Sequence, residues 1–93
     1  MAPECPFLED LSMRVHKQQE INKAIGGVIR ELRIRLRISQ ETLSSLAGLS
    51  RTYLGEVERG ESSVSLPILQ NLAKGLGIKL SDLIRRYERA LDE

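Results

Sequence analysis

The order of apolar and cap-forming residues predicts an all-α protein, a five-helix orthogonal bundle with an N-terminal extension that adds a short helix. Apolar residues recur at spacings of three and four along most of the chain. Serines stand just before four of these periodic segments, at Ser39, Ser50, Ser65 and Ser81, where a side-chain oxygen can accept from a free N–H at a helix start. No segment reads as a strand, and none repeats.

The first 20 residues form the extension. They contain Pro3 and Pro6, after which Phe7, Leu8, Leu11 and Val15 trace a short amphipathic helix. Such a segment is either an arm that covers a neighbour or a partly ordered tail. Residues 21–93 form the folded domain. Ile25, Val28, Ile29, Leu32 and Leu36 mark one face of a first helix ending near Arg37. The Gly26–Gly27 pair costs up to about 1 kcal/mol per glycine relative to alanine. The first turns are therefore expected to be soft or packed closely against another backbone, and a straight long helix is not expected there.

Ser39 caps a second helix, Gln40 to Ala47, with Leu43, Leu46 and Ala47 at inward spacing, and Gly48 stops it because glycine reaches the left-handed region without steric cost. Ser50 caps a third, Arg51 to Arg59, with Leu54 and Val57 inward and Gly60 at its end. Ser65 caps a fourth, with Pro67 in its first turn, Leu66, Ile68, Leu69 and Leu72 facing the core, and Gly75 as the stop. Ser81 and Asp82 are read as cap and first-turn acid of a fifth, whose apolar positions are Leu83, Ile84, Tyr87 and Leu91.

The stretch QETLSSLAGLSRTYLGEVER, residues 40–59, is the most informative. A turn as brief as the one at Gly48 sets its two short helices at a steep angle, so the bundle is orthogonal rather than up-and-down. Only their facing sides can be buried, which leaves Arg51, Thr52, Glu56 and Arg59 on the outer face of the second. This is helix-turn-helix geometry, and such a polar face suits a DNA major groove.

Residues 25–83, through IRELR, ISQETLSSLAGLS, RTYLGEVERG, VSLPILQNLAKGLGI and LSDLI, resemble the lambda-repressor-like, Xre-type helix-turn-helix domain of bacterial and phage regulators. Within that family SRTYLGEVERGESSVSL is most similar to the controller proteins of restriction-modification systems. Those relatives often carry an acidic residue at the place of Ser50, a basic one at Ser62 or Ser63, and alanine at Ser44. The resemblance implies a sequence-specific transcriptional regulator that binds double-stranded DNA as a homodimer on an inverted-repeat operator, with helix 51–59 in the major groove.

Within this reading Gln40 opens the second helix, where its amide is expected to bind a phosphate or to cap reciprocally with Ser39. Arg51 is the candidate for a bidentate guanine contact, a phosphate contact being the alternative. Thr52 suits a thymine methyl or a phosphate. Tyr53 is read as a DNA contact or as packing against the second helix. Gly55 implies close approach of DNA backbone or of a neighbouring helix. Glu56 is a cytosine acceptor or solvated surface, and Arg59, Ser62 and Ser63 are placed where such a domain meets the phosphate backbone. Arg33 and Glu58 match two positions that pair ionically in relatives, so Arg33 is expected to be structural. Leu80, Ile84, Tyr87 and Leu91 are expected either at a dimer interface or closing the monomer's own core.

Composition narrows the classes. The 93-residue chain is 41% hydrophobic, enough for one modest core and no second domain. A net charge of +1 says little, but residues 25–60 hold six arginines against four glutamates. A single cysteine, Cys5, excludes an internal disulfide and a cysteine-rich zinc site. No apolar run approaches the roughly 20 residues of a membrane span. The chain is thus expected to be cytoplasmic, away from membranes and without cofactor, metal or small-molecule ligand. Cys5 and His16 lack catalytic partners at useful spacing, so no catalytic residue is assigned and no enzyme is expected. The competing class is a protein-interaction module, such as an antitoxin or coactivator, using the same helices on a protein partner.

Overall fold

The computed structural model describes residues 15–92, which form five α-helices and, among the described residues, no strand. Of the short helix expected on Phe7, Leu8, Leu11 and Val15, the first three residues, together with Cys5, lie outside the described residues, and Val15 is non-helical and 94% exposed. No helix among those described is long and apolar enough to cross a membrane.

Helix α1 (Gln18–Arg35) begins before the expected domain start at residue 21 and runs unbroken through the glycine pair; of the two expected alternatives, soft turns or close packing on another backbone, the second is found. Packing supplies the reason. A Cβ at Gly26 would overlap the carbonyl oxygen of Val57, so the missing side chain lets another helix lie directly against α1. Its C-terminal turn is closed by Arg37, which takes a left-handed conformation at φ 59° while Ile38 N–H reaches Arg33 O at 3.3 Å. Leu36, expected in the core, stands at this turn and is 50% exposed.

Helix α2 (Gln40–Ala47) starts where Ser39 accepts from Thr42 N–H at 3.0 Å, and it ends at Gly48, φ 70°. Leu49 N–H then reaches back to Ser44 O at 2.8 Å and fixes the turn. Helix α3 (Arg51–Glu58) starts where Ser50 accepts from Tyr53 N–H at 3.1 Å. Leu43 and Ala47 of α2 and Leu54 and Val57 of α3 are buried. Leu46 corrects the expectation: the inward line of α2 passes through Leu43 and Ala47, which leaves Leu46 at the margin and 61% exposed.

Helix α4 (Leu66–Gly75) follows the Ser65 cap, with Pro67 in its first turn. Leu66 precedes the buried face and is exposed, against expectation. The helix ends at Gly75, as expected, but Gly75 does not make the turn. It is helical and lies against Leu43 and Leu46, while Gly77, φ 73°, makes the left-handed turn two residues later. Helix α5 (Leu80–Asp92) opens one residue before Ser81, because the Lys79 carbonyl accepts from Asp82 and Leu83. Ser81 is therefore inside the helix rather than its cap.

Every helix contributes a fully buried side chain to one core: Ile29, Leu43, Leu54 with Val57, Leu72 and Leu83. Each such burial stabilises by about 1.5–3 kcal/mol. Helix α1 packs on α3 and α5, and α2 packs on α3 and α4, so α3 is held from two sides.

Candidate nucleic-acid interface

The frame behind α3 is polar as well as apolar. Arg33 of α1 grips Glu58 of α3 through two hydrogen bonds, Nε to Oε2 at 2.7 Å and Nη2 to Oε1 at 3.1 Å, and its third nitrogen donates to Ile38 O at 2.9 Å. The Glu58 side chain is only 2% exposed, so the pair is desolvated and complete. Gln40 joins it, donating from Nε2 to Glu58 Oε1 at 3.0 Å. The amide is therefore turned toward α3, not into a reciprocal cap with Ser39. One carboxylate ties the start of α2 and the end of α3 to α1.

On this frame the first turn of α3 points out. Arg51 and Thr52 are both exposed, and among the described residues Arg51 has no ion-pair partner. Tyr53 is half-buried, its ring against the core, and its hydroxyl donates to Ser63 O at 2.8 Å. The loop after α3 is latched twice more to Glu56: Ser62 Oγ donates to Glu56 Oε1 at 3.1 Å, and Glu61 N–H to Glu56 O at 2.9 Å. Ser62 and Ser63 thus stand beside α3 at fixed positions, and the half-buried Glu56 has a local partner.

Gly55 is buried rather than outward. Arg59 Nη1 lies 3.1 Å and Gln40 Nε2 4.0 Å from where a Cβ would stand, so the bare backbone makes room for these two side chains. Arg59 is exposed and pairs with Glu61 at 3.0 Å. Lys23 of α1 lies against Gly60. Sequence reasoning missed the Gln40–Glu58 bond, the Arg59–Glu61 pair and the Lys23 contact. Of these only the Arg59–Glu61 spacing was visible, and whether the two meet depends on the left-handed turn at Gly60.

The stripe on α5 divides. Leu80 and Tyr87 pack against the core, whereas Ile84 and Leu91 are half-buried at its edge. Tyr87 has its hydroxyl pKa raised, first by burial and then by nearby Glu88. His16 does have a partner: its Nδ1 lies 3.0 Å from Glu20 Oε2, one helical turn away. The pair joins the residue before the Lys17 cap to the first turn of α1.

Comparison with known proteins agrees with this architecture. The helix-turn-helix family model matches residues 29–83. The control protein C.SmaI of Serratia marcescens is 39% identical over 67 residues, covering 72% of this chain and 80% of its own length. The control protein C.BamHI of Bacillus amyloliquefaciens is 35% identical over 65 residues, covering 69% and 80%. Among solved structures, the restriction-modification controller protein C.AhdI of Aeromonas hydrophila superposes with a TM-score of 0.65 at 45% identity, over 67% of this chain and 94% of that one. With α2, the Gly48 turn and α3 all inside the matched region, the chain belongs to the Xre-type helix-turn-helix family, among its controller-like members.

Proposed function

We propose that the protein is a sequence-specific transcriptional regulator that binds double-stranded DNA as a homodimer, with α3 in the major groove and no catalytic activity. The observation that carries this reading is the outward first turn of α3: Arg51 and Thr52 are exposed and, among the described residues, uncommitted, while the same helix is anchored by Leu54, Val57 and Glu58. A rigid rod with free donors at its leading end is what base-edge readout requires. In this arrangement Arg51 reads guanine and Thr52 meets a thymine methyl or phosphate. Gln40, Arg59, Ser62 and Ser63 position the domain on the phosphate backbone. Gly55 serves by clearance, Tyr53 by holding the loop, and Glu56 by steering base choice. The half-buried residues Ile84 and Leu91, with Leu80 and Tyr87 behind them, supply the dimer contact, and the setting is cytoplasmic.

Anisotropy titration with a random-sequence duplex at two salt concentrations tests the DNA reading. Affinity is expected to fall steeply with added salt as counterions return to the phosphates. Selection from a random pool is expected to return inverted repeats with half-sites about 34 Å apart. Binding near zero with no response to salt overturns the proposal and favours a protein partner instead.

A further inference from the structure

Two donor groups flank one side-chain-free point of α3. Arg59 Nη1 and Gln40 Nε2 both lie within 4.0 Å of the position a Gly55 Cβ would occupy. A guanidinium and an amide flanking one point of the backbone can share one phosphate, because both present N–H groups, and the Glu58 carboxylate beside the amide is already neutralised by Arg33. Both have donors to spare. Gln40 gives one amide hydrogen to Glu58 and has a second, and Arg59 engages Glu61 through Nη2 alone.

Glu61 is held in register with this seat. It follows the left-handed Gly60, and its N–H is bonded to Glu56 O at 2.9 Å, so the carboxylate is presented to Arg59 by an ordered turn. Each partner favours the charged form of the other: hydrogen bonding to Glu61 raises the Arg59 pKa, and hydrogen bonding to Arg59 lowers that of Glu61. Both side chains are more than half exposed, so the pair is cheap to open.

Resting on the DNA-binding reading above, we propose that Glu61 is a built-in substitute for a DNA phosphate, holding Arg59 in the free protein and yielding it to a backbone phosphate seated over Gly55 between Arg59 and Gln40. Glu61 thereby lowers affinity for every sequence alike and sets part of the salt response. It does not read bases.

The test is a double-mutant cycle read by anisotropy with a random-sequence duplex, since a phosphate contact carries no sequence information. Glu61→Gln is expected to tighten binding about twofold to fivefold, the range of an exposed pair, and to steepen the salt slope by about one. In an Arg59→Gln background the same substitution is expected to leave affinity nearly unchanged. Equal gains in the two backgrounds overturn the inference, because Glu61 then acts only as a distant charge on DNA, and so does the absence of any gain. A wild-type chain that fails to bind duplex even at low salt defeats the DNA reading itself, a result visible before either variant is compared. Thermal melting of all three variants confirms that the exposed changes leave the fold intact.

Discussion

Arg51 and Arg59 stand at opposite ends of α3, and their surroundings assign them different work. Arg51 is exposed with no ion-pair partner among the described residues, whereas Arg59 is bound to Glu61 above Gly55. Arg51→Gln is expected to relax base preference at one position of the selected site, and Arg59→Gln to weaken all duplexes alike; competition titrations with selected and scrambled duplexes separate the two. Arg33 belongs to neither class. Its bidentate partner Glu58 is almost wholly buried, so Arg33→Met leaves an uncompensated carboxylate and is expected to cost about 3–5 kcal/mol in denaturant unfolding. Replacing Glu58 by leucine at the same time is expected to recover much of that loss, because the orphaned charge is gone. A double variant no more stable than the single one contradicts this account.

Among the helices, the cost of each boundary follows from who supplies the turn. Gly48 and Gly60 end α2 and α3 in the left-handed region, but Arg37 makes the same turn after α1 at φ 59°, where a side chain is strained. Arg37→Gly is expected to stabilise the fold by about 0.5–1 kcal/mol, read as a rise in Tm of a few degrees. An unchanged or lower Tm implies that the Arg37 side chain contributes a contact exceeding the strain. Gly26→Ala is expected to act the opposite way, since its methyl would strike the Val57 carbonyl and push α3 from α1. These cases also mark what the sequence could reveal. Caps at Ser39, Ser50 and Ser65 were legible because each is completed within three residues. The roles of Gly75, Leu46 and Leu66 were not, because they depend on which helix lies alongside, and Ser81 was misplaced because the Lys79 carbonyl starts α5 one residue earlier. The outward first turn of α3 could be inferred from the Gly48 turn, while the junction of Gln40 with Glu58 spans 18 residues and leaves no local pattern.

The whole molecule raises the question of why one domain would not suffice. A single α3 presents only Arg51 and Thr52 as free groups in its leading turn, a small number of base contacts when each good pair discriminates by about 1–3 kcal/mol. Two copies double that readout and impose a spacing. If α5 joins them, the residues to alter are those that do not also hold the monomer together. Leu80 and Tyr87 pack against the core, and Leu83 is fully buried, so substitutions there would confuse unfolding with dissociation. Ile84 and Leu91 stand at the core's edge on the same stripe. Ile84→Glu combined with Leu91→Glu is expected to give a folded monomer by sedimentation, with helical circular dichroism close to that of the parent. On a selected inverted repeat its affinity is expected to fall by at least about tenfold, while a single half-site is bound as before, because α3 and its frame are untouched. A variant that still sediments as a dimer places the contact elsewhere on the surface, and one that loses half-site binding together with dimerisation shows that α5 supports α3 directly.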